Sequence, residues 1–199
     1  MKKKTVFFDL GNVILFFDHK KMYQQMAAFC GLDHDEMLPD LLQYADPYER
    51  GAVDSRGIYH HLCTKSNKQL DFGGLMHAMS DIFEPNVKML SLIKELKAKK
   101  TPLYILSNTC EAHFNYAYTH YPILHLFDGY VLSYEVKARK PEKEIFESAL
   151  SLASCASEDC FYTDDIPEYI EAAKQYKIDA EVYHNHELLL TQLTQRGIL

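Results

Sequence analysis

Lys4 to Asp18 reads KTVFFDLGNVILFFD, an apolar run broken by one acidic residue and a turn. Thr5, Val6, Phe7 and Phe8 are β-prone and uninterrupted by polar residues, the pattern of a strand buried on both faces of a parallel sheet. The run stops at Asp9. Gly11 and Asn12 follow, two residues that tolerate the backbone angles of a sharp turn. Asp9 is therefore expected at the carboxyl end of the strand, where open α/β sheets bind ligands. A carboxylate there needs a cation, hydrogen bonds or water to offset its charge.

Outward from this stretch, the chain divides into two patterns. Residues 19 to 84 read as helices only. Met22, Met26 and Phe29 share a face before Gly31, a glycine where a helix C-cap belongs. Asp33 and Glu36 resemble a capping box ahead of Met37, Leu38, Leu41 and Leu42. Further helices are expected from Ser55 to Thr64 and from Leu70 to Phe83, with Pro85 closing the segment. From Val87 onward helix and strand alternate, the signature of a parallel sheet covered on both faces. Strands are expected at Pro102–Leu106, Gly129–Leu132, Cys160–Thr163 and near Ala180–Tyr183, and Pro141 is expected at the first position of a helix. The fold class is α/β, a Rossmann-like doubly wound parallel sheet with an inserted helical cap. The expected domains are residues 1–17 with 85–199 as the core, and 18–84 as the cap.

The composition narrows the function. With 199 residues the chain can build one core and a small accessory unit, and its net charge of −7 disfavours nucleic acid or an anionic membrane surface as partner. Lys2 to Lys4 precede an apolar run, but Asp9 and Asn12 interrupt it and no small-residue cleavage site follows, so an export signal is rejected. Five cysteines, odd in number and without a CxxC pair, fit a reducing cytoplasm better than a disulfide framework. The expectation is a soluble cytoplasmic protein, a monomer or weak homodimer, acting on a small molecule.

Three apolar runs end in polar residues: Asp9, then Ser107 with Asn108, then Asp164 with Asp165. Lys140 precedes a helix between the second and the third. Strand ends of a parallel sheet share one edge, so one crevice could gather all of them. Singly, each reads more often as a cap, a turn or a solvated lysine.

In this order, FFDLGNV (Phe7–Val13), YILSNT (Tyr104–Thr109), RKP (Arg139–Pro141) and FYTDD (Phe161–Asp165) resemble the motifs of the haloacid dehalogenase-like (HAD) hydrolases over essentially the whole chain. The DLGNV variant is most similar to the subgroup that contains bacterial α-D-glucose-1-phosphate phosphatase and related sugar-phosphate phosphatases. The resemblance implies a Mg²⁺-dependent phosphatase of small phosphorylated metabolites, sugar phosphates first among them. Asp9 is then the nucleophile that forms an aspartyl-phosphate. Ser107, the Asn108 backbone and Lys140 bind the phosphoryl group, and Asp9, the Gly11 carbonyl, Asp164 and Asp165 form the metal site, with Asp165 the expected direct ligand. A metal is needed because two unit charges 4 Å apart at an effective dielectric of 20 repel by about 4 kcal/mol.

Two positions depart from the wider family. Gly11 stands where most of these phosphatases carry a second Asp as general acid and base, leaving Asp18 or His19 as the nearest substitutes. Tyr169 stands where an Asn often supports the fourth motif. The competing reading is therefore a catalytically impaired protein of the same fold that binds or regulates. A carbon–halogen hydrolase fits less well, since a metal-free site gains little from clustered carboxylates.

Overall fold

The computed structural model describes residues 4–199, so Lys2 and Lys3 of the basic start lie outside the described residues. In chain order the elements are β1 (Thr5–Phe8), β2 (Leu15–Phe17), α1 (His19–Cys30), α2 (His34–Glu49), α3 (Ser55–Ser66), α4 (Phe72–Ser80) and β3 (Phe83–Pro85). There follow α5 (Val87–Ala98), β4 (Leu103–Ser107), α6 (Glu111–His120), β5 (Gly129–Leu132), α7 (Ser133–Val136), α8 (Lys143–Ala153), β6 (Cys160–Asp164), α9 (Pro167–Gln175), β7 (Asp179–Val182) and α10 (His186–Gln195).

β1 is buried along its whole length and pairs in parallel with β4 on one side and β6 on the other. Val6 and Phe8 pack into one layer, while Phe7 packs into the opposite one with Leu106 and Tyr162. That alternation is why the run carries no polar position. The sheet order is β5-β4-β1-β6-β7, parallel throughout. α5 and α10 cover one face through Leu92, Ile93, Leu189 and Leu193, and α8 and α9 cover the other through Ile145, Phe146, Ile170 and Ala173. The chain departs from central β1 toward both edges, so the crevice opens at the carboxyl end of β1.

α1 to α4 form a bundle with its own core, which includes Met26, Met37, Leu62 and Leu75 and continues onto Cys110 and Ala112 beside the sheet. Each of the four helices opens on an aspartate, Asp18, Asp33, Asp54 and Asp71, whose carboxylate accepts a backbone N–H of the first turn. Such caps satisfy donors that otherwise have no partner and place negative charge at the positive end of the helix. Gly31 closes α1 in the left-handed conformation, with φ at 65°.

Two local expectations are corrected. Residues 19 to 84 are not purely helical, because α4 ends at Ser80 and β3 pairs antiparallel with β2, Phe17 opposite Phe83 and Leu15 opposite Pro85. Three-residue strands are too short to show a period in sequence. The ribbon forms where the chain leaves the sheet layer and returns to it. Pro141 does not start a helix either: it follows a cis peptide bond from Lys140, and α8 begins at Lys143 with Glu142 at its N-cap. The Lys140 backbone is instead held by Asn108, whose Oδ1 accepts the Lys140 N–H at 2.8 Å and whose Nδ2 donates to the Lys140 carbonyl at 3.0 Å.

Candidate active site

Asp9 extends the β1–β6 ladder by one bond, its N–H donating to the Thr163 carbonyl at 3.0 Å, and its side chain is delivered to the crevice. Lys140 reaches it from the loop before α8. The Lys140 ammonium donates to Asp9 Oδ1 at 2.7 Å, to Asp164 Oδ2 at 2.6 Å and to the Leu106 carbonyl at 3.0 Å. An ammonium has three N–H groups, and all three are used. Lys140 is 2% exposed and Asp164 fully buried, so neither charge relaxes into water.

Asp164 is saturated as well. Oδ2 accepts from Lys140 and from the Tyr162 hydroxyl, and Oδ1 accepts the Ile166 N–H at 2.8 Å. Asp165, on the next turn of chain, is half-buried and accepts from Asn12 Nδ2 at 3.0 Å. Asn12 adopts a left-handed backbone, with φ at 55°, and so swings its amide across to the β6 loop. Asp9, Asp164 and Asp165 each present an oxygen within 4.8 Å of the others, the one such acidic or metal-ligating group among the described residues.

Three carboxylates against one ammonium leave a net charge of −2 when all are ionised. Burial, with the added repulsion of Asp164 and Asp165, pushes the Asp9 carboxyl up to about 7 against the pull of Lys140. Burial alone would lower Lys140, but Asp9 and Asp164 hold its ammonium above the ordinary lysine value. The cluster lacks positive charge. A hard divalent cation fits the donor set, which is made of oxygen alone, and fits the deficit of two charges.

The other expected residues fall into two groups. Ser107 lies buried at the end of β4 beside β1, with its hydroxyl 3.4 Å from the Asn108 carbonyl. Asn108 spends its side chain on the Lys140 backbone, so its main chain is what remains for a ligand. Gly11 lies under the ring of Phe17, whose Cε1 would be 2.7 Å from a Cβ built there. That ring fills the space a second aspartate would need. Of the two substitutes, Asp18 is committed to capping α1, accepting the Lys21 N–H at 3.1 Å. His19 packs its ring 4.7 Å from that of Phe17, and burial lowers its pKa.

The roles of three residues escaped the sequence reading. Asn12 was read only as a turn former, yet it ties Asp165. Tyr162 looked like sheet packing, but its hydroxyl donates to Asp164. Tyr169 replaces the expected Asn with a different support: its ring lies 5.0 Å from the Lys140 ammonium, and its hydroxyl accepts from Asn108 Nδ2 at 3.3 Å. A hydroxyl on a strand two residues before a buried acid was the available signal.

A five-stranded parallel sheet with a carboxylate and lysine cradle at the end of its central strand defines an α/β protein of the doubly wound class. A model of the haloacid dehalogenase-like hydrolases matches residues 20–182, and the chain belongs to that family. Among curated relatives, a sesquiterpene phosphatase of Aspergillus oryzae is 25% identical over 130 residues, 65% of this chain and 66% of the relative, so the match spans just under two thirds of that protein. Among solved structures, a HAD family enzyme of Bacteroides thetaiotaomicron superposes with a TM-score of 0.80 over 92% of this chain and 95% of its own, at 21% identity. That enzyme has also been solved with magnesium and inorganic phosphate. A 2-haloacid dehalogenase of Pseudomonas syringae pv. Tomato DC3000 gives a TM-score of 0.71 over 98% and 99%, at 17% identity. These likenesses are of fold. No helix among the described residues is long and apolar enough to cross a membrane.

Proposed function

We propose that the protein is a Mg²⁺-dependent phosphatase of small phosphate monoesters, working through an aspartyl-phosphate on Asp9 and acting in the cytoplasm. The observation that carries this reading is the meeting of Asp9, Asp164, Asp165 and Lys140 at one strand end with a charge deficit of two. The phosphatase relative and the magnesium and phosphate complex of the Bacteroides enzyme support it.

Asp9, the Gly11 carbonyl and Asp165 would hold the cation, and Asp164, its oxygens already engaged, would orient the lysine and the loop. Bound there, Mg²⁺ would offset the repulsion between carboxylate and phosphoryl oxygens. Lys140 fixes Asp9 by one oxygen and leaves Oδ2 to attack. That oxygen bonds to phosphorus as the bond to the leaving oxygen breaks, and the leaving oxygen takes a proton from a solvent water molecule and departs as the alcohol. Water then attacks the phosphorus of the aspartyl-phosphate, releases inorganic phosphate and restores the carboxylate. Ser107 and the Asn108 N–H stand at the adjacent strand end to receive phosphoryl oxygens. Lys140 contributes its field rather than a hydrogen bond, since its donors are used. Residues 18–84 serve as the cap that excludes water.

Phosphate release from p-nitrophenyl phosphate should require Mg²⁺, vanish with EDTA and fall by at least about 10⁴-fold in Asp9→Asn. Full turnover without metal would refute this mechanism. The Phe17 ring over Gly11 favours a second reading, an impaired binding module, which Mg²⁺ binding without any turnover would establish.

A further inference from the structure

Beside the cradle lies a partly open chamber between the helical bundle and the corner after β4, with a volume of about 80 Å³. Pockets for drug-sized ligands begin at roughly 300 Å³, so a chamber of this size suits a chain of a few carbons. Its walls are Met22 and Met26 of α1, Leu41 of α2, Ile58 of α3 and Met79 of α4. Its floor adjoins the catalytic residues. Cys110 follows Asn108 by two residues, and His19 leans on the Phe17 ring that covers Gly11. Glu49, also in the lining, is close enough to Lys140 to feel its charge.

Several polar groups of the chamber are already engaged within the protein, while Glu49 Oε2 is buried without a hydrogen bond. Tyr48 shares a hydrogen bond with Ser55 Oγ at 2.7 Å and accepts the Ala112 N–H at 3.2 Å. Tyr44 pairs with His61 at 3.3 Å, and His113 Nε2 lies 3.2 Å from the Met79 carbonyl. Glu49 faces Arg139 at 3.0 Å. A hexose entering here would bury several hydroxyls against few open partners, at a cost of about five- to 100-fold in affinity for each one left unpaired. An apolar chain meets thioether and aliphatic surface, and each methylene buried is worth about fourfold. The methionines of α1 and α4 adapt to its shape.

We infer that this chamber holds the alcohol portion of the substrate and that the substrate class is a short-chain alkyl phosphate monoester rather than a sugar phosphate. The inference rests on the phosphatase reading and adds to it the identity of the leaving group.

The test is a chain-length series, methyl, butyl, hexyl and octyl phosphate, set against glucose 1-phosphate, with Mg²⁺ and the full chain. The ratio kcat/KM should rise about fourfold per methylene until the chamber fills, with glucose 1-phosphate below butyl phosphate. Leu41→Asn and Met22→Gln should each flatten that slope, lowering octyl phosphate more than methyl phosphate. Turnover of the whole panel without a slope, or with glucose 1-phosphate in the lead, would overturn the inference and leave the phosphatase reading intact. Should nothing turn over, the phosphatase reading falls instead. Calorimetry with octylphosphonate and methylphosphonate then decides the chamber: tighter octyl binding by 50-fold or more supports it, and equal affinities overturn it.

Discussion

The cradle at the end of β1 and the chamber under α1 to α4 share a wall and obey opposite rules. In the cradle, three ammonium N–H groups meet three acceptors and both oxygens of Asp164 are engaged, so geometry is fixed by charge and hydrogen bonding. In the chamber, thioether and aliphatic side chains present no directional demand, and Tyr44, Tyr48 and His113 are paired off within the protein. The difference teaches a division of labour. A rigid ionic site is exacting in charge and direction, while an apolar one lined by flexible side chains can change shape without disturbing it.

The sharpest way to break this contrast is Lys140→Ala. It leaves Asp9 and Asp164 buried without their cation, and removal of one partner from such a cluster costs about 3–5 kcal/mol. Urea unfolding should show that loss. Lys140→Arg should not restore it, because a planar fork cannot direct donors to Asp9, Asp164 and the Leu106 carbonyl together. An unchanged midpoint would mean that the cradle is not held by charge.

A smaller effect sits on the shared wall. Gly11→Ala places a methyl against the Phe17 ring, and overpacking of that kind costs about 1–3 kcal/mol. Gly11→Asp, the residue usual in the wider family, should therefore lower activity and stability, and the double change with Phe17→Ala should recover stability. Thermal unfolding of the three proteins separates these outcomes.

The smallest expected effect belongs to the chamber. Burial, with His19 nearby, lowers His113 from 6.5 to about 4. Between those values the unfolded chain binds a proton that the folded protein does not, so its contribution is complete above pH 6.5 and is lost as pH falls toward 4. The ring keeps some contact with solvent, which reduces the effect to about 1 kcal/mol. His113→Gln should flatten the acid side of a stability–pH curve by that amount. An unaltered curve would show that the chamber is wetter than its lining implies.

Glu49 shows where sequence reading stops. Pro39 and Pro47 read as breaks in the pattern after Asp33, but α2 continues through both and delivers Tyr48 and Glu49 to the chamber. A helix interior containing proline costs about 3 kcal/mol locally, and only packing against the rest of the bundle can outweigh that. Arg139 was visible as part of a motif. Its ion pairs with Asp46 and Glu49 at 2.7 and 3.0 Å, and the Arg50 pairs with Glu142 at 2.9 and 2.6 Å, link α2 to the Lys140 loop and join residues some 90 positions apart. Local pattern has no access to such pairs.

The order of apolar runs and the polar residues that end them were enough to establish the parallel sheet, because burial on both faces forbids polar positions and strand ends are where they reappear. The positions of Asp9, Asp164, Asp165 and Lys140 along the chain followed from the same constraint. Tertiary packing alone decided that Lys140 has no donor to spare, that Phe17 closes the place of a second acid, and that the bundle's methionines enclose an apolar space. Each depends on the direction of a side chain across elements far apart in sequence, a quantity that periodicity does not encode.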